Sequence, residues 1–368
     1  MNLLIVLPGG VHPSGDIEVI PALLQLCRAL NQHHRVCIVA LHQHQQLTEY
    51  RLFDCQVISL AMVKTSNLVT SCFTVVKRLK HYGFKPDLVH SFWLGKTTLL
   101  GAMLSKKYQL PLLASVAGGE PVNMPEIGYG GSLSFVGRCF NSLSIKLADG
   151  VSCGSGFIQS MTQQRWAITP QLIPLGIDTS FWQPKDVGET TAGPWQLLQL
   201  ASINAVKDPW LLLDIVAHLH RVDFDFHLNW VGEDTLGGAI QKQAAKMGLT
   251  GRISFHGFKT QQQLKPMLAQ QHFVIQSSRH ESQGVAMAEA CSQGVCPVGT
   301  DVGWLSDLAM GLSGAREKLA LTIAEQIIAL AADFQGRKGR VDKVQKWIQA
   351  NDLSVTVARF NARYLLLV

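Results

Sequence analysis

The sequence predicts an α/β protein made of two doubly wound parallel sheets. Three observations carry that reading. Short apolar runs alternate with helical stretches, the alternation restarts after a punctuated segment at 173–193, and 368 residues are enough for two such domains. In the first half, strands are expected at 3–7, 36–41, 87–90, 110–116 and 150–152, with helices at 17–31, 68–81 and 142–148. A turn, PGGVHPSG, follows the first strand. In the second half, strands are expected at 195–201, 226–231, 253–255, 273–276 and 295–298, with helices between them. Strand–helix–strand alternation of this kind implies parallel pairing through right-handed crossovers.

Pro174, Gly176, Pro184, Gly188, Gly193 and Pro194 mark the boundary. The expected division is 1–180, 181–345, and a helical segment 346–368 that packs back on the first domain. Between two such sheets the default ligand site is the cleft onto which their carboxyl ends open. Neither half carries GxGxxG after its first strand, which argues against a dehydrogenase.

Composition narrows the classes. Charged residues make up 16% of the chain, against about 25% in an average domain. That low share fits large buried sheets and argues against disorder. No apolar stretch approaches the roughly 20 residues of a membrane span. The start, MNLLIVLPGG, lacks a basic n-region and breaks at Pro8, so it reads as a buried strand. The expectation is a cytoplasmic chain, at most peripheral on the inner face of the membrane. The eight cysteines lie among apolar neighbours and read as reduced core residues. No histidine shares a helix face with cysteine or carboxylate at metal-ligand spacing, so no metal site is assigned.

Residues 1–180 hold 14 Lys and Arg against 9 Asp and Glu, a balance of +5, out of +6 for the whole chain. Part of that excess sits at 68–81, LVTSCFTVVKRLKH, where Lys77, Arg78 and Lys80 lie beside Phe73, Val75, Val76 and Leu79. Such a helix can rest on an anionic membrane surface, or simply face a core with a solvated side. No aromatics interleave with the basic residues, so nucleic acid is not an expected partner.

The most informative stretch is SSRHESQGVAMAEACSQGVCPVGTD, 277–301. It reads as a polar turn after a strand, then an alanine-rich helix ended by Gly294, then another strand. The unpaired N–H groups of the first helical turn suit a phosphate or diphosphate. Glu289 lies about one and a half turns into a mostly apolar helix, where a carboxylate is costly unless something pairs with it. Glu281 sits on the turn. A nucleotide sugar fits this order: diphosphate at the helix start, ribose at Glu289 and sugar near Glu281.

Motifs along nearly the whole chain then resemble the retaining glycosyltransferases of family four. PDLVH (86–90) is similar to that family's "PDVVH" strand, ADGV (148–151) to "ADAV", and IPLGID (173–178) to "IPNGVD". SINAVKD (202–208) resembles the "SLNPVKD" phosphate loop, VGED (231–234) "VGDG", FHGF (255–258) "FLGFV", and SRHE…EA (278–290) "SRYEGFGLVLLEA". The first strand and glycine-rich turn, 3–15, match as well.

The resemblance implies a GT-B fold, two Rossmann-like domains facing across a cleft with a C-terminal helix crossing back. It implies glycosyl transfer from a nucleotide diphosphate sugar, such as a UDP- or GDP-sugar, to a glycan or lipid-linked acceptor hydroxyl with retained configuration, without cofactor or metal. By the same resemblance Lys207 pairs with the diphosphate and Glu289 binds the ribose hydroxyls. Glu281 contacts the donor sugar and shares the catalytic role with Lys207. Gly284, Val285 and Ala286 offer N–H groups to the leaving phosphate, Gly9 and Gly10 let backbone approach the donor, and Phe258 borders the base.

Three positions depart from the pattern: Ser202, Ala117, and Gln283, which stands where the family has an aromatic residue or a glycine and bears on sugar preference. Ser202 stands where an arginine is common, so the donor site has one cation fewer, and Arg279 is too close in sequence to Glu281 to replace it safely. Ala117 stands where a histidine touches the donor sugar, leaving Glu120 as an acceptor-side base or orienter, or a solvated loop residue. The departures at 202 and 117 motivate a second reading, a GT-B protein without catalysis that serves as partner or sugar-nucleotide binder. A nucleotide-sugar epimerase of similar architecture is a third.

Overall fold

The computed structural model describes residues 1–188 and 193–368. The part of the boundary segment at 189–192 lies outside the described residues. The chain divides into two compact units, Met1–Gly176 with Leu353–Val368, and Ile177–Asp352.

In the first unit the chain runs β1 (Asn2–Leu7), α1 (Pro21–Asn31), β2 (Arg35–Ala40), β3 (Thr48–Leu52), β4 (Cys55–Ser59) and α2 (Leu68–His81). It continues through β5 (Leu88–Phe92), α3 (Lys96–Tyr108), β6 (Leu112–Val116), α4 (Phe135–Leu147), β7 (Gly150–Cys153), α5 (Gly156–Trp166) and β8 (Gln171–Leu172). The sheet order is β3-β4-β2-β1-β5-β6-β7-β8, parallel except for β3. β1 is central because Leu3 to Leu7 are all fully buried, as a strand covered on both faces requires. The β3–β4 hairpin was not expected from sequence. Its first strand, TEYRL, carries Glu49 and Arg51, residues that suit a solvated edge rather than an apolar run.

The first helix was expected from residue 17. It begins at Pro21 instead, because Val19 pairs with Val11 in a bridge and Ile20 is extended, so the chain turns helical only at the proline. Leu23, Leu26, Cys27 and Leu30 then face the sheet. Seven cysteines are buried, and burial raises the thiols of Cys27, Cys37 and Cys55. Cys139 instead lies exposed on α4, against the expectation of a core residue.

The second unit holds β9 (Trp195–Leu200), α6 (Pro209–Arg221), β10 (Phe226–Val231), α7 (Ala239–Lys246), β11 (Ile253–Phe255), α8 (Gln261–Leu268) and β12 (Phe273–Gln276). After these come α9 (Val285–Ser292), β13 (Cys296–Gly299), α10 (Trp304–Asp307), α11 (Arg316–Ala332) and α12 (Phe334–Ala350). The order β11-β10-β9-β12-β13 is wholly parallel and reverses direction between β9 and β12. α6 and α11 cover one face around Leu212, Ile215 and Ile323. α9 and α12 cover the other, with Trp182, Trp304 and Val344 in that core. Ile177 and Trp182 pack there too, which is why this unit starts a few residues before the expected boundary at 181.

The final helix, α13 (Leu353–Leu367), belongs to the first unit. Its inner face supplies Val357, Phe360 and Tyr364 to the core beneath β1 and β5. Tyr364 Oη meets His90 Nδ1 at 2.8 Å, His90 Nε2 meets Ser115 Oγ at 2.7 Å, and Ser115 Oγ meets Ser152 Oγ at 2.6 Å. Burial pushes the His90 imidazole down to about 3, so it is neutral at ordinary pH and serves as a polar rivet between helix and sheet.

Candidate donor-sugar site

Ligands of open α/β sheets sit beyond the carboxyl ends of the strands where the strand order reverses. In the second unit that point lies between β9 and β12, and two loops leave it. The loop after β9 contains Ser202 and ends in a single turn, Ala205–Lys207, closed by the Asn204 side chain, which accepts from Lys207 N at 3.1 Å. The loop after β12 contains Ser278 and Glu281.

The two loops are laced together. Ser277 Oγ donates to Lys207 O at 2.8 Å, and Arg279 N to Val206 O at 2.8 Å. Their side chains meet as well: Lys207 Nζ forms an ion pair with Glu281 Oε1, which also accepts from Ser278 Oγ at 2.6 Å. The pair is half-buried, with side-chain exposures of 24% and 14%, and so remains reachable from solvent.

Gly284 follows, with φ +93°, a left-handed conformation that a glycine adopts without strain. A Cβ there would lie 3.2 Å from both Gln276 Oε1 and Trp304 Nε1. Trp304 Nε1 donates to Gly284 O at 2.8 Å and fixes the turn. No side chain caps α9 and no acidic residue lies in its first turn, so the N–H groups of Val285 and Ala286 keep their positive end uncompensated.

Glu289 lies one turn further in and is 6% exposed. Gln261 Nε2, at the start of α8, donates to its Oε1 at 2.7 Å. Burial raises this carboxyl to about 8, while Gln261 and Trp182 pull the other way. Phe258, three residues before Gln261, is 43% exposed on the connection between β11 and α8. Thus Lys207 and Glu281 touch, Gly284, Val285, Ala286 and Glu289 follow one another along α9, and Ser202 shares the loop of Lys207.

Arg279 does not make up for the arginine absent at 202. Its Nε donates to Asp208 Oδ2 at 3.0 Å, and Asp208 also caps α6 by accepting from Leu211 N at 3.2 Å. Sequence reasoning missed Gln261. It is the first of three consecutive glutamines behind the Thr260 cap, and nothing in that run marks one of them as the partner of a buried carboxylate.

The remaining candidates belong to the first unit. Gly10 has φ +79°, and a Cβ would fall 2.5 Å from Ile20 Cγ1, so its glycine is required locally. At Gly9 the nearest atom to a Cβ, Gln43 Oε1, is 3.5 Å away, an ordinary contact. Glu120 requires a correction. It is 5% exposed, and its carboxylate accepts from Leu94 N at 3.2 Å, Ala117 N at 3.1 Å and Gly118 N at 2.6 Å. It is therefore not a solvated loop residue, and it satisfies three amides of the loops after β5 and β6.

Residues 22–181 match the model of Glycosyltransferase Family 4, and residues 196–333 that of Glycosyl transferases group 1. The chain belongs to these family-four, group 1 glycosyltransferases and has their GT-B architecture of two Rossmann-like sheets. Over 107 residues it is 32% identical to a GDP-mannose:cellobiosyl-diphosphopolyprenol alpha-mannosyltransferase of Xanthomonas oryzae pv. oryzae, a match that spans 27% of this chain and 28% of that protein. Sucrose-phosphate synthase from Thermosynechococcus elongatus superposes with a TM-score of 0.81 at 16% identity, covering 100% of this chain and 99% of its own. The Anabaena HepE protein, solved in complex with UDP and glucose, gives 0.74 at 18% identity with both chains fully covered, 100% each.

Proposed function

We propose that this chain transfers a glycosyl group from a nucleoside diphosphate sugar to an acceptor hydroxyl with retention of anomeric configuration. The observation that carries the reading is the Lys207–Glu281 pair held at the switch point of the second sheet, beside an uncapped helix start and a buried carboxylate. In the free protein Glu281 occupies the ammonium of Lys207. An arriving diphosphate competes for that ammonium and frees the carboxylate to meet the donor sugar's hydroxyls. As the glycosidic bond lengthens, positive charge grows at the anomeric carbon and negative charge on the departing phosphate. Lys207 and the N–H groups of Val285 and Ala286 meet the negative charge without a metal. Glu289, oriented by Gln261, takes the ribose hydroxyls, and Phe258 borders the base. A departing phosphate can accept the acceptor's proton, so no strong protein base is needed.

The mannosyltransferase likeness supports a glycan or lipid-linked acceptor, of the kind used in building a polysaccharide or glycolipid. The basic face of the first unit supports a peripheral position on an anionic membrane surface. Among the described residues no single helix is long and apolar enough to cross a membrane. The absence of arginine at 202 and of histidine at 117 favours the alternative of a binding protein without turnover. Transfer or donor hydrolysis by the purified chain separates the two. Lys207→Ala should lower turnover about ten- to a thousandfold, the scale of one lost electrostatic donor. Unchanged turnover in that variant, with wild type active, overturns the site assignment.

A further inference from the structure

The α2–α3–α4 layer of the first unit carries a hollow of about 860 Å³. That volume is in the range of about 300–1,000 Å³ usual for small-molecule sites. Its walls include Leu68 of α2, Leu99 and Met103 of α3, and Leu143 and Leu147 of α4, with Lys106 among them. The apolar surface continues outside it. Phe135, Cys139, Leu143 and Leu147 recur every fourth residue along α4, and three of these, Phe135, Leu143 and Leu147, are 71%, 45% and 46% exposed. On α2, Val69 and Phe73 are 56% and 68% exposed. Single exposed apolar residues are ordinary, but a stripe running into a cavity marks an interaction surface.

Charge selects the occupant. The three helices together carry eight Lys and Arg and not one Asp or Glu. Two acids face them from elsewhere. Glu49 of β3 pairs with Arg78, and Asp149, at the end of the hollow, accepts from Leu112 N at 2.8 Å. Lys106 therefore lines the hollow itself beside Asp149, and Lys77, Lys80 and Lys146 add positive charge on the helices that form it. A second copy of the chain is disfavoured, since face-to-face pairing sets eight cations against eight. An apolar tail joined to an anionic head satisfies both features.

We propose that this hollow takes the aliphatic tail of an anionic membrane lipid, while the surrounding lysines hold its phosphate. This deepens the membrane-side reading given above and rests on it. It distinguishes an insertion site from a surface held by charge alone, because the tail needs the cavity and the phosphate needs only the rim.

The test is flotation of the full chain with phosphatidylcholine vesicles containing about one-third phosphatidylglycerol, against phosphatidylcholine alone. The wild type is expected to float with the anionic vesicles only. Ala102→Trp, which fills the hollow and keeps every charge, should reduce the bound fraction at least about fivefold. Should Ala102→Trp fail to fold, Leu143→Gln at the more exposed rim puts the same question without changing the charge. Lys106→Glu with Lys107→Glu should also lose binding. The proposal is overturned if the wild type does not float, if the filled hollow floats as well as the open one, or if Leu143→Gln acts only by dissolving a dimer seen in size-exclusion chromatography. Nucleotide binding in the second unit, measured on the same samples, reports separately on the transferase reading.

Discussion

Glu289 shows how the same side chain is written in the sequence and qualified by the structure. Its place in an alanine-rich helix marks it as a carboxylate that needs a partner, and the structure supplies one in Gln261. Burial raises its carboxyl from 4.5 to about 8. Between those values the native chain keeps a proton that the unfolded chain has released. The stability linked to this group is therefore fully present below about pH 4.5 and is lost as pH rises through about 8. Glu289→Gln cannot titrate there. Across that window the melting midpoint of the wild type should fall relative to that of the glutamine variant, and parallel curves would contradict the assigned burial. Lys207 and Glu281 were legible as candidates but their mutual contact was not, since 74 residues separate them and only the adjacency of β9 and β12 joins them. Glu120 was read as a candidate base because a loop glutamate carries no sign of the amides it will cap.

At the level of elements, the parallel strands were legible because buried strands carry continuous apolar runs such as LLIVL (3–7) and FVI (273–275). The β3–β4 hairpin was not, because its polar edge looks like loop. The start of α1 was misplaced because nothing local announces the Val11–Val19 bridge. α13 shows how a remote element is fastened. His90, part of the PDLVH resemblance, spends both ring nitrogens on Tyr364 and Ser115. Tyr364→Phe leaves His90 Nδ1 buried without a partner. It should cost about 1–3 kcal/mol in urea unfolding followed by a probe in the first unit. An unshifted midpoint would mean that the other contacts of the helix, the apolar ones of Val357 and Phe360 and the hydrogen bonds of Thr356 and Asn361, hold it without the tyrosine hydroxyl.

For the whole molecule, two sheets with the same winding carry different duties. The second brings Lys207 and Glu281 together at its switch point and carries Glu289 on α9, whereas the first carries a broad basic, apolar face on α2, α3 and α4. The motif order made the two-domain fold legible; the division of labour was less so, because a surface face has no fixed sequence pattern. The proposed chemistry meets the leaving group's charge with protein groups. A chelator added to a working transfer assay should therefore leave turnover unchanged, and its loss with recovery on adding a divalent cation would assign part of that duty to a metal.

The central claim is that Lys207, Glu281 and Glu289 grip a nucleoside diphosphate. It is tested most directly by calorimetric titration of UDP, GDP and ADP into the wild type, Lys207→Ala and Glu289→Ala. The account predicts that at least one of the three binds the wild type, stabilising it by about 2.7 kcal/mol at a hundred times its Kd, and that both variants bind it at least about tenfold more weakly while remaining folded. Equal affinity in all three proteins, or no binding of any nucleotide to the wild type, would contradict it.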